Sequence, residues 1–290
     1  MIQTVTLGQR LFRAGNVAFL LLFAFLTLYP FWYVMVGSMV PFSYYSTHTL
    51  LLWPGELSFL GYTTIFSSPT IPNAYKVTVF VTVVGTLLSM TVTCLAAYVT
   101  SERALPGRNL LMSLIIFTML FNGGLIPTYL IYRSLGLIDT LWVYIAPHLV
   151  TTFYMLILKT NFQGVPQDLK DAAIIDGCNE FSVLFRVMIP LSMPVLATIT
   201  LFYTVDRWND LFTAIFFIVD AEKFSLQAVL YFMISRAGAE SIPGETRELT
   251  LAGEQIKLAA IMAATIPVLL VYPFLQRYFV KGVLIGAIKG

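Results

Sequence analysis

"LKDAAIIDGCNEFSVLFRVMIPLSMP", Leu169 to Pro194, holds Lys170, Asp171, Asp176, Glu180 and Arg186 between two long apolar runs, in a chain with only 11% charged residues. A soluble domain is typically about 45–50% apolar and about 25% charged. The 290 residues here are 58% hydrophobic, with a mean hydropathy of +0.82. So few charges cannot cover a water-facing surface, and the solvent of most of the chain is lipid. The net charge of +2 and the absence of any block of like charge give no footprint for nucleic acid. Cys94 and Cys178, the only two cysteines, make neither a disulfide framework nor a metal pair.

Working outward from the charged stretch, six runs are long enough for the roughly 20 apolar residues that a bilayer crossing needs. They are about 17–39, 74–100, 109–132, 141–159, 193–219 and 258–278. The runs are continuous, whereas a lipid-facing barrel would alternate. The expected fold is therefore all-α and integral to the membrane, a single domain of six spans over 1–290. Arg10 and Arg13 precede the first run as they would in a secretory signal, but the run is too long for an apolar signal core and lacks a small-residue cleavage site.

Lys and Arg set the orientation. Arg10, Arg13, Arg103, Arg108, Lys159, Lys170, Arg186, Arg277, Lys281 and Lys289 all fall on one side, whereas the connection 41–73 on the other has no Lys or Arg. The first side is cytoplasmic, with both termini inside. The outer connections, about 41–73 and 220–257, are rich in turn residues; the second carries four basic and six acidic residues.

This places the loop 160–192 in the cytosol. On a continuous helical wheel, Leu169, Ala173, Asp176 and Glu180 share one face, and Ile174, Cys178 and Phe181 the opposite one. Such a helix lies along the membrane with Phe181 inward and offers Ala172, Ala173 and Asp176 to a partner in the cytosol; the alternative is an amphipathic helix resting on the headgroups with no partner. Gly177 permits a sharp change of direction, and Pro190 and Pro194 end one element and begin the next.

The loop resembles the "EAA" loop of ABC-importer permeases: Asp171-Ala172-Ala173, then Asp176-Gly177, then Ile189-Pro190-Leu191. It departs from that pattern in Asp171 for Glu and in the order Ile-Pro-Leu. "ATIPVLLVYPFLQRYF" and "YFVKGVLIGAIKG" near the C-terminus resemble carbohydrate-uptake permeases, similar to the maltose importer's G subunit. "FNGGLIPTYLIYRSLGLIDTLWVYIAP", Phe121 to Pro147, resembles a subgroup that handles oligosaccharides of acidic polysaccharides such as alginate and rhamnogalacturonan.

The resemblance implies a type I ABC-importer permease in a bacterial cytoplasmic (inner) membrane. It implies a coupling role toward an ATPase for Asp171, Ala172, Ala173, Asp176, Gly177, Glu180 and Pro190. The implied partners are a second permease subunit forming a heterodimer, two ATP-binding cassette subunits and an extracellular or periplasmic solute-binding protein. It further implies contact of 220–257 with the binding protein and of the tail 281–290 with the ATPase. No G-x-x-x-x-G-K-[ST] occurs in the chain, so the loop that cradles nucleotide phosphates is missing. The chain is expected to bind no cofactor or metal and to catalyse nothing, with ATP and Mg used by the partner ATPase.

Polar groups within a span are functional candidates because burying them in lipid is costly. "VDRWND" puts Asp206, Trp208, Asn209 and Asp210 in the fifth run around Arg207. A sugar path wants this mixture of aromatic faces and polar groups; the alternative is a structural ion pair. Asn122-Gly123-Gly124 with Pro127 breaks the third run, either to line a cavity or to pack helices closely. His148 reads as a hydrogen-bonded core residue. A neutral, maltose-type substrate is the alternative to an acidic one. A secondary transporter is the rival mechanism, with little support from one polar cluster and no internal repeat. Two distant histidines argue against a membrane enzyme.

Overall fold

A computed structural model describes residues 7–41, 44, 45, 50–67, 69–239 and 255–270. The end of the sixth run, most of Arg236–Thr250 in the second outer connection and the tail from 271 onward lie outside the described residues, as does His48. Among the described residues every regular element is helical. The chain divides into two compact units, one of 1–68 with 232–266, the other of 69–231 with 267–290.

In the first unit, helix α1 (Leu7–Gly37) is apolar enough to cross a bilayer and contains Pro30. Its side chains are almost all exposed until Val36, which packs with Val40 and Leu51 under Tyr33, Tyr44 and Tyr45. Helix α2 (Leu60–Ser67) lies against the helix Gln255–Leu270. A Cβ on Gly61 would stand 2.8 Å from the Gln255 carbonyl, so the backbones meet where only glycine fits. The Gln255 amide donates to the Ser58 carbonyl (3.2 Å), and Ser38 shares a hydrogen bond of 2.8 Å with Tyr62.

The second unit is built on α3 (Thr70–Ser101). Its buried face is a column of small residues, among them Thr78, Thr82, Gly85, Ser89, Thr93 and Ala97. Small side chains let helices approach closely in lipid, where dispersion and hydrogen bonds replace the hydrophobic effect between helices. Helices α6 (Thr152–Gln163) and α9 (Met193–Trp208) fill that face. Met155, Leu158, Phe162, Leu184, Met188, Ile199 and Tyr203 form its core with Cys94 and Ala97.

Three apolar runs are broken rather than continuous. The third consists of α4 (Arg108–Leu120) and α5 (Leu125–Ser134), set at 116°. The fourth begins as 3-10 turns over 141–148 and becomes α6 after a 44° bend. The fifth run was expected as one span to Val219, but α9 stops at Trp208. The polar motif itself ends it: Asp210 accepts the Thr213 N–H (3.1 Å) at the start of the short helix α10 (Phe212–Phe217). Part of the second outer connection is likewise regular, with α11 (Leu226–Ala239) anchored by buried Leu226, Ala228, Val229 and Leu230.

Candidate functional site

The charged loop folds as two elements and not as the single wheel that its spacing suggested. Helix α7 (Gln167–Ile175) closes at Asp176, and Gly177 follows at φ +85°, the left-handed region that glycine enters without a Cβ penalty. Helix α8 (Glu180–Leu191) then starts at Asn179, whose side chain accepts the Ser182 N–H (2.8 Å). A π-helical turn over Leu184–Met188 interrupts it, and an 87° bend at Ser192, between Pro190 and Pro194, leads into α9.

Because Gly177 breaks the phase, the inward and outward faces differ from the expected ones. Ala173 and Cys178 pack against the core, and Lys170 is buried. Asp168, Leu169, Asp171, Ala172, Ile174, Ile175 and Asp176 face outward. Phe181, expected inward, is 66% exposed, and Ile175 is 84% exposed. The outer surface of the loop therefore mixes carboxylates with bare apolar side chains. Its inner side was not legible in the spacing: the Lys170 Nζ lies 5.9 Å from the Tyr98 ring centre and 4.0 Å from Glu102 Oε2. The Tyr98 hydroxyl donates to Glu180 Oε2.

The motif at the end of α9 is split between two cavities. Asp206, Arg207 and Asp210 line a polar cavity of about 290 Å³ together with Tyr144, His148, Thr151 and Tyr203. Tyr154 donates to Asp206 (2.8 Å), and Tyr203 accepts the Thr151 N–H (2.9 Å) while sharing a hydrogen bond with Thr93 (2.8 Å). Trp208 and Asn209 instead border an apolar cavity of about 240 Å³ between Val79, Val83 and Leu201. Trp208 meets Tyr75 edge-on at 6.5 Å. His148 is exposed at the polar cavity, not a core residue.

Arg207 is buried and structural, though not in the ion pair that the sequence left open; among the described residues no carboxylate lies within 4.0 Å of it. Its guanidinium donates to the Tyr144 carbonyl (2.6 Å), the His148 carbonyl (3.0 Å) and Ser89 Oγ (2.7 Å). Those carbonyls sit in the 3-10 turns of the fourth run, where a regular helical ladder is lost. One arginine thus satisfies backbone carbonyls freed where the helix is broken. Gly85 makes this possible, since a Cβ there would lie 2.6 Å from Nε.

Asn122, Gly123 and Gly124 form the break between α4 and α5. The Asn122 side chain accepts the Gly124 N–H (2.8 Å), and Gly124 has φ +87°. All three are exposed and border neither of the two cavities.

No protein-family model matches the chain. It is 44% identical to the polygalacturonan/rhamnogalacturonan transport system permease protein YtcP of Bacillus subtilis (strain 168), over 97% of this chain and 99% of that one. It is 42% identical to protein LplC of the same organism, over 98% and 97% respectively. Among solved structures it matches a chain of a bacterial ABC transporter involved in the import of the acidic polysaccharide alginate. That match has a TM-score of 0.86 and 30% identity, and covers 95% of this chain and 99% of the other.

Proposed function

The chain belongs to the permeases of sugar-importing ABC transporters, and from that premise we propose that it is one half of a pore that passes oligosaccharides into the cytoplasm of a bacterium. In this reading six spans cross the cytoplasmic membrane with both termini inside. The chain pairs with a second, different permease, and ATP and Mg are used by two cassette subunits. The solute-binding protein delivers the sugar from outside. The secondary-transporter alternative is dropped with the family.

What supports a coupling role for the loop is its outer face. Asp171, Ala172 and Asp176 stand beside exposed Ile174, Ile175 and Phe181, a small, mixed surface suited to a groove in a partner protein. A Gly177→Asp chain should insert and assemble yet fail to transport; normal uptake would remove the loop from the coupling role.

The substrate reading leans toward acidic oligosaccharides. The observation that carries it is the identity, over nearly full length, with a permease named for polygalacturonan and rhamnogalacturonan. A second reading, a neutral maltose-type sugar, is favoured by the cavity itself. Asp206 and Asp210 line it, whereas the Arg207 guanidinium is engaged by backbone carbonyls and Ser89. Arg207 borders the same cavity with three of its N–H donors already engaged, so the lining is rich in acceptors for sugar hydroxyls, and a uronate chain would present hydroxyls here and meet most of its counter-charge elsewhere.

The deciding experiment is ATP hydrolysis in liposomes by the complex of this chain with its partner permease, ATPase and binding protein. Alginate and rhamnogalacturonan oligosaccharides would be titrated against maltose. Stimulation by the acidic sugars alone supports the first reading, and stimulation by maltose alone the second. No stimulation by any of them overturns both.

A further inference from the structure

The face of the cytoplasmic loop that points away from any docking partner converges on one place. Lys170 comes from α7 and Glu180 opens α8, on opposite sides of the Gly177 turn. Both reach the last turns of α3. Lys170 is 7% exposed and lies over the Tyr98 ring with Glu102 as its nearest carboxylate. Glu180 accepts the Tyr98 hydroxyl at 2.5 Å. The same ring meets fully buried Phe162 in a T-shaped contact, centroids 6.3 Å apart at 83°. One tyrosine thus touches both halves of the loop and the end of α6. An ammonium held this far from water needs the ring and the carboxylate to offset its lost hydration, so this arrangement is specified rather than incidental.

Along α3 the next polar contacts face the cavity. Thr93 is bonded to Tyr203, and Ser89 to Arg207. From Tyr98 to Ser89 a straight helix runs about 14 Å, at about 1.5 Å per residue. The loop and the cavity are therefore fastened to the same rigid rod, whose buried face is packed along its length by α6 and α9.

We propose that Tyr98 is the positioning residue through which a load on the cytoplasmic loop is delivered to α3 and hence to the polar cavity, with Lys170 and Glu180 as its two grips. Displacement of α7 by a partner moves the Tyr98 end of α3, because the two halves of the loop cannot shift independently while both hold the ring. The proposal rests on the coupling reading of the loop.

Tyr98→Phe removes the hydroxyl while keeping the ring under Lys170 and against Phe162, and the assay is the reconstituted complex with the alginate and maltose oligosaccharides above. Loss of one charge-assisted hydrogen bond should lower sugar transported per ATP hydrolysed about fivefold, with equal amounts of assembled complex. Glu180→Gln should do the same, and the double variant should fall no further than either single one. A native transport-to-hydrolysis ratio in Tyr98→Phe overturns the proposal, as does full additivity of the two changes. Should Tyr98→Phe reduce assembly, Glu180→Gln carries the test; loss of assembly in both shows a purely structural bond and overturns it equally. Gly177→Asp separates the two ideas. If it uncouples transport while Tyr98→Phe does not, the loop still couples and only the grip on α3 is wrong. If neither does, the coupling reading itself fails.

Discussion

At the scale of single residues, Arg207 and Gly85 form one device. The guanidinium fits against α3 because position 85 has no side chain, and a Cβ there would come within 2.7 Å of both Cδ and Cζ. The arginine cannot swing aside without giving up its bonds to Tyr144, His148 and Ser89. Gly85→Ala should therefore destabilise the protein by about 1–3 kcal/mol, the range of overpacking, seen as a lower midpoint of thermal unfolding in detergent. Arg207→Lys should cost about 3 kcal/mol, because a point charge cannot span two carbonyls and a hydroxyl, and the orphaned carbonyls stay buried. Asp206→Asn should leave that midpoint close to native, since Asp206 faces the cavity and keeps an acceptor for Tyr154. Equal loss in Asp206→Asn and Arg207→Lys would show that the cavity wall and the structural bond are not separate.

At the scale of elements, the turns carry the testable chemistry. At Gly177 nothing lies within 4 Å of an added Cβ, so a substitution is strained only through its backbone, at φ +85°. The left-handed region costs an ordinary residue roughly 1–2 kcal/mol and asparagine less. Transport should therefore fall in the order Asn, Ala, Val at position 177 with insertion unchanged, measured as uptake per assembled complex. Equal uptake in all three would mean the turn can relax without consequence. Beside the turn that follows α10, Asp139 at φ +58° accepts the N–H groups of Asp220 (3.0 Å) and Val219 (3.1 Å), and Lys223 bridges Asp139 (3.3 Å) and Asp220 (3.2 Å). The backbone donors of Asp220 and Val219, then Lys223, hold the Asp139 carboxyl below its usual range, and the Asp220 carboxylate foremost raises Lys223. A lowered carboxyl contributes stability above its unfolded value and loses it as pH falls through the folded one. A raised lysine contributes below its unfolded value and loses it as pH rises through the folded one. Amide protection of 218–223, corrected for intrinsic exchange, should thus be flat from about pH 5 to 9 and fall below about pH 4. Steady decline across the neutral range would assign the clamp to some other group.

At the scale of the whole molecule, the apolar runs and the break in the third were legible because lipid leaves a compositional mark and because Asn122, Gly123, Gly124 and Pro127 announce lost helix, whereas the 3-10 start of the fourth run and the stop of the fifth at Trp208 were not foreseen. The charged loop was legible as a segment set apart from the apolar runs, because Asp171, Ala172, Asp176 and Gly177 are local in sequence. What lay hidden depends on partners far along the chain. Nothing near Lys170 says that Tyr98 waits for it, and nothing near Arg207 shows that the carbonyls of Tyr144 and His148 are free to accept. Trp208 and Asp206, neighbours in one motif, were expected to share a path, but the helix turns them toward different cavities. Orientation, which rests on the placement of Lys and Arg, is open to a direct test. Gly8, Asp168 and Glu222 are exposed or unobstructed sites on α1, α7 and the turn that follows α10. Each would be changed to Cys in a Cys178→Ser background, Cys94 being buried, and challenged with a membrane-impermeant maleimide. Glu222→Cys should react in intact cells, whereas Gly8→Cys and Asp168→Cys should react only after permeabilisation. One crossing, α9, separates 168 from 222, so opposite accessibility is required if α9 spans. The positions 8 and 168 must agree if an even number of spans lies between them. Labelling of Gly8→Cys and Asp168→Cys from opposite sides would mean that one of the broken runs re-enters the membrane without crossing it.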